Sequence, residues 1–256
     1  MNVLEAVIMG VVEGLTEFLP ISSTAHLILT SRFLAIPESD FLGSFIIAIQ
    51  LGAIASVVLV YWRTIFWEFE AMKRILVAFI PTAIIGFLLY KILKDILLES
   101  LDLIAWALLL GGVVLIVFEY WHKGRADVPE TPLRTLSYTK AFLIGCAQTL
   151  AIVPGVSRAG ATILGGLALG VGRKEIVEFS FLLAIPTMLA ATGYDLLKSG
   201  SSFASNEWEL LAVGFGVSFI AAYVAVRFLI RFVQTHTFTA FGWYRIALGA
   251  FLLLVI

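Results

Sequence analysis

The chain has one cysteine, Cys146, three histidines, and charged residues at only 14% of its 256 positions. A single cysteine excludes an intramolecular disulfide and any cysteine-based metal site, and no histidine spacing suits a metal. Cys146 is expected to be a small buried hydrophobe beside Gly145, and His122 and His236 are placed in loops. No stretch is basic enough to suggest nucleic acid as a partner. With 61% hydrophobic residues and a mean hydropathy of +1.02, ordinary soluble globular composition is excluded and the integral-membrane class fits. The start, MNVLEAVIMG, has no basic residue before Arg32. It therefore lacks the charged region of a cleaved signal peptide and is read as mature protein. The net charge of −1 says little about partners, because in a membrane protein the position of a loop charge matters more than the sum.

What the chain has in place of charge is long apolar runs. A bilayer span takes roughly 20 apolar residues, and six runs qualify: 41–62, 75–93, 101–121, 176–197, 210–232 and 238–256. Aromatic residues at several ends, such as Tyr61, Trp62, Tyr120 and Trp121, suit the headgroup belt. Two further apolar segments are broken in the middle. Segment 3–33 is interrupted at Pro20-Ile-Ser-Ser and segment 141–172 at Pro154-Gly-Val-Ser-Arg. Their flanks are too short to span, so both are read as re-entrant helical hairpins.

The broken segments resemble each other. Gly10-x-x-Glu13 followed by Pro20-x-x-Ser23 recurs as Gly145-x-x-Gln148 followed by Pro154-x-x-Ser157, with one residue fewer between the two parts. Each copy is followed by three spans. Three is odd, so the halves must lie inverted in the membrane. The expected fold is an all-α integral membrane protein in one polytopic domain, 1–256. It has six transmembrane helices and two re-entrant hairpins, arranged as an inverted-topology repeat of about 1–121 and 138–256. Such repeats commonly build a site from broken helices at their interface.

If the first hairpin returns to its starting side, one face carries Arg63, Lys73, Arg74, Lys123, Arg125, Arg134, Lys140, Arg173, Lys174, Arg227 and Arg231. The other carries Arg32, Lys91, Lys94 and Lys198. The positive-inside rule makes the richer face cytoplasmic and both termini outward, with the two hairpin tips meeting near mid-membrane.

Ionisable residues inside a membrane are costly enough that each is a functional-site hypothesis. Glu13 and Glu17 share a helix face. In a low-dielectric site, either one is protonated or a cation sits between them, and oxygen ligands suit Mg²⁺ or Ca²⁺ with substrate phosphates completing the shell. Ser22, Ser23 and Thr24 after Pro20 are N-cap candidates, and three together at an embedded helix N-terminus also make an anion site. His26, one turn on, is expected to face the same pocket in a catalytic role. From the second hairpin, Gly155 permits close backbone approach, Ser157 caps, Thr162 lies a turn later, and Arg158 offers a bidentate fork suited to phosphate. The inert alternative for the acid pair and for Arg158 is a salt bridge between Glu17 and Arg158, which could coexist with phosphate binding. Gln50 and Glu178 are read as pocket-wall residues, and Glu5, Asp195 and Arg245 as interfacial residues that snorkel.

The run EGLTEFLPISSTAH at 13–26 resembles the first signature of the BacA-type undecaprenyl-diphosphate phosphatases. PGVSRAGAT at 154–162 resembles the second, and the length and duplication extend the likeness over the whole chain. The resemblance implies hydrolysis of undecaprenyl diphosphate to the monophosphate, recycling the lipid carrier for cell-wall polymers, and resistance to bacitracin. It implies a multi-pass protein of the bacterial cytoplasmic (inner) membrane. Glu13 and Glu17 become the acidic, metal-binding pair. Ser22, Ser23 and His26 fall in the catalytic pocket, and Ser157, Arg158 and Thr162 hold the diphosphate. Ala159 stands where the family usually has serine. The expected partners are the polyprenyl diphosphate and membrane lipids, with a homodimer left open. The rival reading is a carrier or flippase for a lipid phosphate, since inverted repeats with broken helices also mark secondary transporters.

Overall fold

The computed structural model describes residues 1–92, 100–122, 132–199 and 205–255. Among the charged residues named above, Lys94, Lys123 and Arg125 fall outside the described residues, as do the side chains of Lys91, Asp195 and Lys198.

All described regular structure is helical. In order, the helices are α1 (Val3–Thr16), α2 (Ser23–Phe33), α3 (Asp40–Val60), α4 (Trp62–Trp67), α5 (Phe69–Ile92), α6 (Leu101–His122), α7 (Tyr138–Gln148), α8 (Arg158–Ala168), α9 (Arg173–Ser199), α10 (Ser205–Phe232) and α11 (Thr239–Val255). The two broken segments are α1 with α2 and α7 with α8, and the six apolar runs are α3, α5, α6, α9, α10 and α11. Five of those six are long and apolar enough to cross a bilayer. The sixth, α11, has 17 residues, at the lower limit for a span. His122 is the last residue of α6 and is buried rather than in a loop, and Cys146 is only partly buried.

Local chemistry sets the boundaries. Asn2 and Glu5 close a capping box at α1, Ser39 caps α3 and Ser137 caps α7. Helix α5 starts six residues before its apolar run because Glu70 in its first turn gathers Lys73 and Arg74, at 2.7 and 2.8 Å. Arg74 also donates to the Leu136 carbonyl. Past Tyr61 the chain continues into the short helix α4, Trp62–Trp67, so the run read as ending at Trp62 breaks one residue earlier.

The helices pack through small residues, as expected where lipid removes the hydrophobic drive between spans. A Cβ on Gly10 would come within 2.8 Å of the Gly214 carbonyl and one on Gly14 within 2.5 Å of the Ser218 carbonyl, so α1 lies directly on α10. Gly145 gives α7 the same close approach to Ala78 of α5. Helix α1 thus rests on α10 and α7 on α5, while α10 packs on α3 and α5 on α9. Each contact has a partner with the two halves exchanged.

Several charged helix ends are tied to their neighbours. Arg173 at the start of α9 forks onto Glu119 near the end of α6, at 2.5 and 2.6 Å, and Glu119 also accepts the Phe238 amide at 2.9 Å. Tyr138 donates to Glu70 at 3.2 Å. Arg74, bonded to the Leu136 carbonyl, therefore lies beside the start of α7, whose first turn also holds Lys140.

Candidate active site

The two breaks are built alike. Each half-helix after the break starts from a serine with a left-handed backbone, Ser22 at φ 71° and Ser157 at φ 76°. A non-glycine residue there costs of order 1–3 kcal/mol and persists only where its surroundings hold it. Ser157 caps as expected, its Oγ accepting the Gly160 N–H at 3.2 Å, whereas Ser22 makes no side-chain cap. The first amides of α2 and α8 have no intrahelical acceptor, so both tips present free N–H groups and the positive end of a helix dipole.

Between the tips lies a cavity of about 230 Å³. Glu17, Ser22, Ser23 and Thr24 line it from the first hairpin, and Pro154, Gly155, Ser157 and Arg158 from the second. Glu17, 5% exposed, is the hub. Its Oε2 accepts the Ser23 hydroxyl at 2.5 Å, and its Oε1 pairs with Arg158 Nη2 at 3.0 Å. Arg158 also donates to the Ser180 carbonyl of α9 at 2.8 Å. The expected salt bridge exists, and the guanidinium still borders the cavity. Gly155, at φ +92°, needs its glycine twice, because a Cβ would also meet the Ile104 carbonyl of α6 at 2.8 Å.

Three expected site residues do not line this cavity. Glu13 is fully buried one turn before Glu17, and neither of its carboxyl oxygens has a hydrogen-bond partner among the described residues. His26 turns toward α11. Its Nδ1 lies 2.7 Å from the Ser22 carbonyl, an acceptor only, so the proton is on Nδ1 and Nε2 accepts from the Tyr244 hydroxyl at 2.8 Å. Thr162 is fully buried and donates to the Arg158 carbonyl at 2.8 Å, bracing the tip from behind. Of the two wall candidates, Gln50 lines the cavity and Glu178 does not.

The family described as bacitracin resistance protein BacA matches residues 6–251. An undecaprenyl-diphosphatase of Aquifex aeolicus is 51% identical over 248 residues, covering 96% of this chain and 95% of that one. Undecaprenyl-diphosphatases of Persephonella marina and Thermus thermophilus are each 46% identical, covering 100% and 96% of this chain and 100% and 94% of their own. The chain belongs to the BacA family.

The donor set of this BacA protein suits a hard cation shared with substrate. No cluster of three or more metal-type side chains exists among the described residues, so a cage made wholly of protein is not built. Mg²⁺, however, is commonly held by one or two carboxylates plus substrate phosphates, and the partnerless Glu13 oxygens beside Glu17 match that pattern.

Other residues around the BacA cavity were missed or misplaced by sequence reasoning. Gln148, 1% exposed, donates to Thr82 at 2.8 Å and Thr187 at 3.3 Å, and all three line the cavity. The signal was present in the duplicated Ile-Pro-Thr at 80–82 and 185–187. Each proline sits inside a helix, where it has no N–H for the carbonyl one turn back. Arg245 was expected to snorkel to an interface. It is instead 1% exposed, the largest fully buried side chain among the described residues.

Proposed function

We propose that this protein hydrolyses undecaprenyl diphosphate to undecaprenyl phosphate and inorganic phosphate at the cavity between its hairpin tips. The observation that carries the reading is Glu17, which joins the Ser23 hydroxyl of one hairpin to Arg158 of the other at the cavity wall. Phosphoryl transfer needs mainly positioning and neutralisation of charge. Arg158 and the free amides of both tips supply donors for the phosphate oxygens, and the low dielectric strengthens each of them. The lining 151–153, Met188 and Ala191 offers an apolar side for the first isoprene units.

In the reaction, the Ser23 oxygen attacks the terminal phosphorus while Glu17 accepts its proton. The bond from that phosphorus to the bridging oxygen breaks, and undecaprenyl phosphate leaves carrying the bridging oxygen. The departing oxygen takes the proton from Glu17, and water then cleaves the serine–phosphorus bond, its proton passing through the regenerated Glu17 carboxylate to the Ser23 oxygen as inorganic phosphate is freed. Ser23 suits the attacking role better than His26, whose two ring nitrogens are taken by Ser22 and Tyr244. A divalent cation, Mg²⁺ or Ca²⁺, held by Glu13 and Glu17 would neutralise phosphate charge when bound.

The exchanged packing of α1 on α10 and α7 on α5, and of α10 on α3 and α5 on α9, supports two inverted repeats with six spans and two re-entrant hairpins in a bacterial inner membrane. Arg74 beside the start of α7, where Lys140 lies, supports a cytoplasmic assignment for that side and outward termini. The deciding assay is phosphate release from purified polyprenyl diphosphate with and without Mg²⁺, by the parent and Ser23→Ala. Release that needs Ser23, with a trapped phosphoserine, is expected. Undiminished release by Ser23→Ala moves the attack to water, and transport of the lipid without any phosphate release would favour the flippase reading.

A further inference from the structure

Arg245 on α11 has five N–H donors, and each meets a different carbonyl oxygen. Nε reaches Leu108 at 3.4 Å, Nη1 reaches Pro20 at 3.2 Å and Val156 at 2.8 Å, and Nη2 reaches Ala107 and Gly155, both at 2.9 Å. None of the ion pairs among the described residues includes it. A buried guanidinium without a counter-ion is expensive, and full satisfaction of its donors is what makes it tolerable. The acceptors also need it, because irregular backbone at membrane depth has no water to bond to.

The identity of those acceptors gives the side chain more than a packing role. Pro20 belongs to the first tip, Gly155 and Val156 to the second, and Ala107 and Leu108 to α6. One planar group therefore ties both tips to the same transmembrane helix. Helix α6 is shaped to receive it, since a Cβ on Gly111 would overlap the guanidinium.

The peptides here are trans, and in a trans peptide the C=O and N–H point in opposite directions. Drawing the Val156 carbonyl onto Arg245 turns the Ser157 N–H away from it. Ser157 lines the cavity, its N–H has no acceptor among the described hydrogen bonds, and its φ of 76° is a conformation that relaxes unless held.

We propose that Arg245 is a positioning residue for the phosphate chemistry. Its guanidinium locks the two re-entrant tips onto α6 and, through the Val156 carbonyl, holds the Ser157 N–H aimed into the cavity as a phosphate donor. Arg245 itself does not touch the phosphate. The proposal rests on reading the cavity as the phosphate site.

The test uses the full-length protein in lipid nanodiscs, comparing the parent with Arg245→Gln, Arg245→Lys and Gly111→Ala. Two quantities are read: kcat and KM for polyprenyl diphosphate, and amide hydrogen exchange of peptides covering 17–24 and 152–160. Losing an aimed donor lowers kcat by about 100-fold in comparable sites, so Arg245→Gln is expected to lose about that much with KM within about threefold. Exchange at both tips rises about tenfold or more while α3 and α9 keep the parent rates. Arg245→Lys keeps the charge but not the planar fork, and recovers only part of kcat. If kcat of Arg245→Gln stays within about threefold of the parent, if KM rises as much as kcat falls, or if tip exchange is unchanged, the proposal fails. Should Arg245→Gln not fold, Gly111→Ala decides. It displaces the guanidinium from the α6 side, so loss of kcat with faster tip exchange supports the lock and parental kcat overturns it. If the parent releases no phosphate at all, the phosphatase reading is what has failed, and the exchange measurement still tests the lock.

Discussion

The two hairpins share one scaffold and have opposite chemistry. Both break at a proline and restart from a serine in the left-handed region, and both pack a glycine-bearing first half-helix on a helix of the other half. Yet the first tip brings carboxylates and the Ser23 hydroxyl, while the second brings Arg158. The contrast is sharpest at the repeated position Glu13 and Gln148. Gln148 is bonded to Thr82 and Thr187 and accepts from Thr162 at 3.5 Å, whereas neither oxygen of Glu13 has a hydrogen-bond partner among the described residues. The two tips share a shape and differ in charge, so that an acid and a base face one another across the cavity. Two identical tips would meet with like charges.

The largest effect should come from the residue through which the tips communicate. Glu17→Gln keeps the size but removes both the acceptor for the Ser23 proton and the partner of Arg158. General-base and charge effects together predict a fall in kcat of about a thousandfold or more, measured as phosphate release by protein whose thermal midpoint is checked separately. Glu17→Gln with kcat within about tenfold of the parent would mean that the acid of the first tip is not the base.

How much of this was readable from sequence differs between the hairpins for a physical reason. The first tip was nearly complete in one run, since Glu17, Ser22, Ser23 and Thr24 lie within eight residues and stand out against apolar surroundings. The two breaks and the positions of the long apolar helices were legible because proline and hydropathy act locally. The polar wall was harder: Thr82, Gln148 and Thr187 come from three helices, and their signals, a repeated Ile-Pro-Thr and one position of the repeated hairpin motif, lie far apart in the chain. Arg245 was misread because snorkelling is the usual fate of a lone arginine in a short terminal span. Only the tertiary structure shows that two broken backbones surround it with carbonyls. His26 shares the run with Ser23, yet its ring turns to Tyr244, a direction that spacing on a helix does not determine.

Making the first tip resemble the second should have the next largest effect. Glu13→Gln removes a carboxylate that has no other partner. If that carboxylate helps hold a divalent cation, the Mg²⁺ concentration giving half-maximal phosphate release should rise by about 10- to 100-fold. An unchanged Mg²⁺ curve would remove Glu13 from the metal site and leave its burial as a purely structural fact. The reverse change, Gln148→Glu, adds a carboxylate to the wall that a diphosphate approaches. A rise in KM of about tenfold is expected, equivalent to about 1.4 kcal/mol, with kcat little altered. A parental KM would show that the substrate stays clear of the Gln148 wall.

The smallest effect tests the connection that sets the first tip apart from the second. The helix after the first tip is tied to the other half by His26 and Tyr244, whose rings also stack at 5.6 Å and 7°. The helix after the second tip is tied within its own half by Thr162 and Gln148. Tyr244→Phe keeps the stacked ring and removes only the donor to Nε2, so the stability cost is one partly exposed hydrogen bond, about 1 kcal/mol. Because the His26 ring does not border the cavity, phosphate release should change by less than about threefold and its pH profile should keep its shape. A tenfold loss of kcat with a displaced pH profile would instead mean that the imidazole takes part in proton transfer, in a state of the first hairpin where it has left Tyr244 and turned into the cavity. In that case the first tip would hold both the acid and the imidazole, and the division of labour between the hairpins would be deeper than their static geometry indicates.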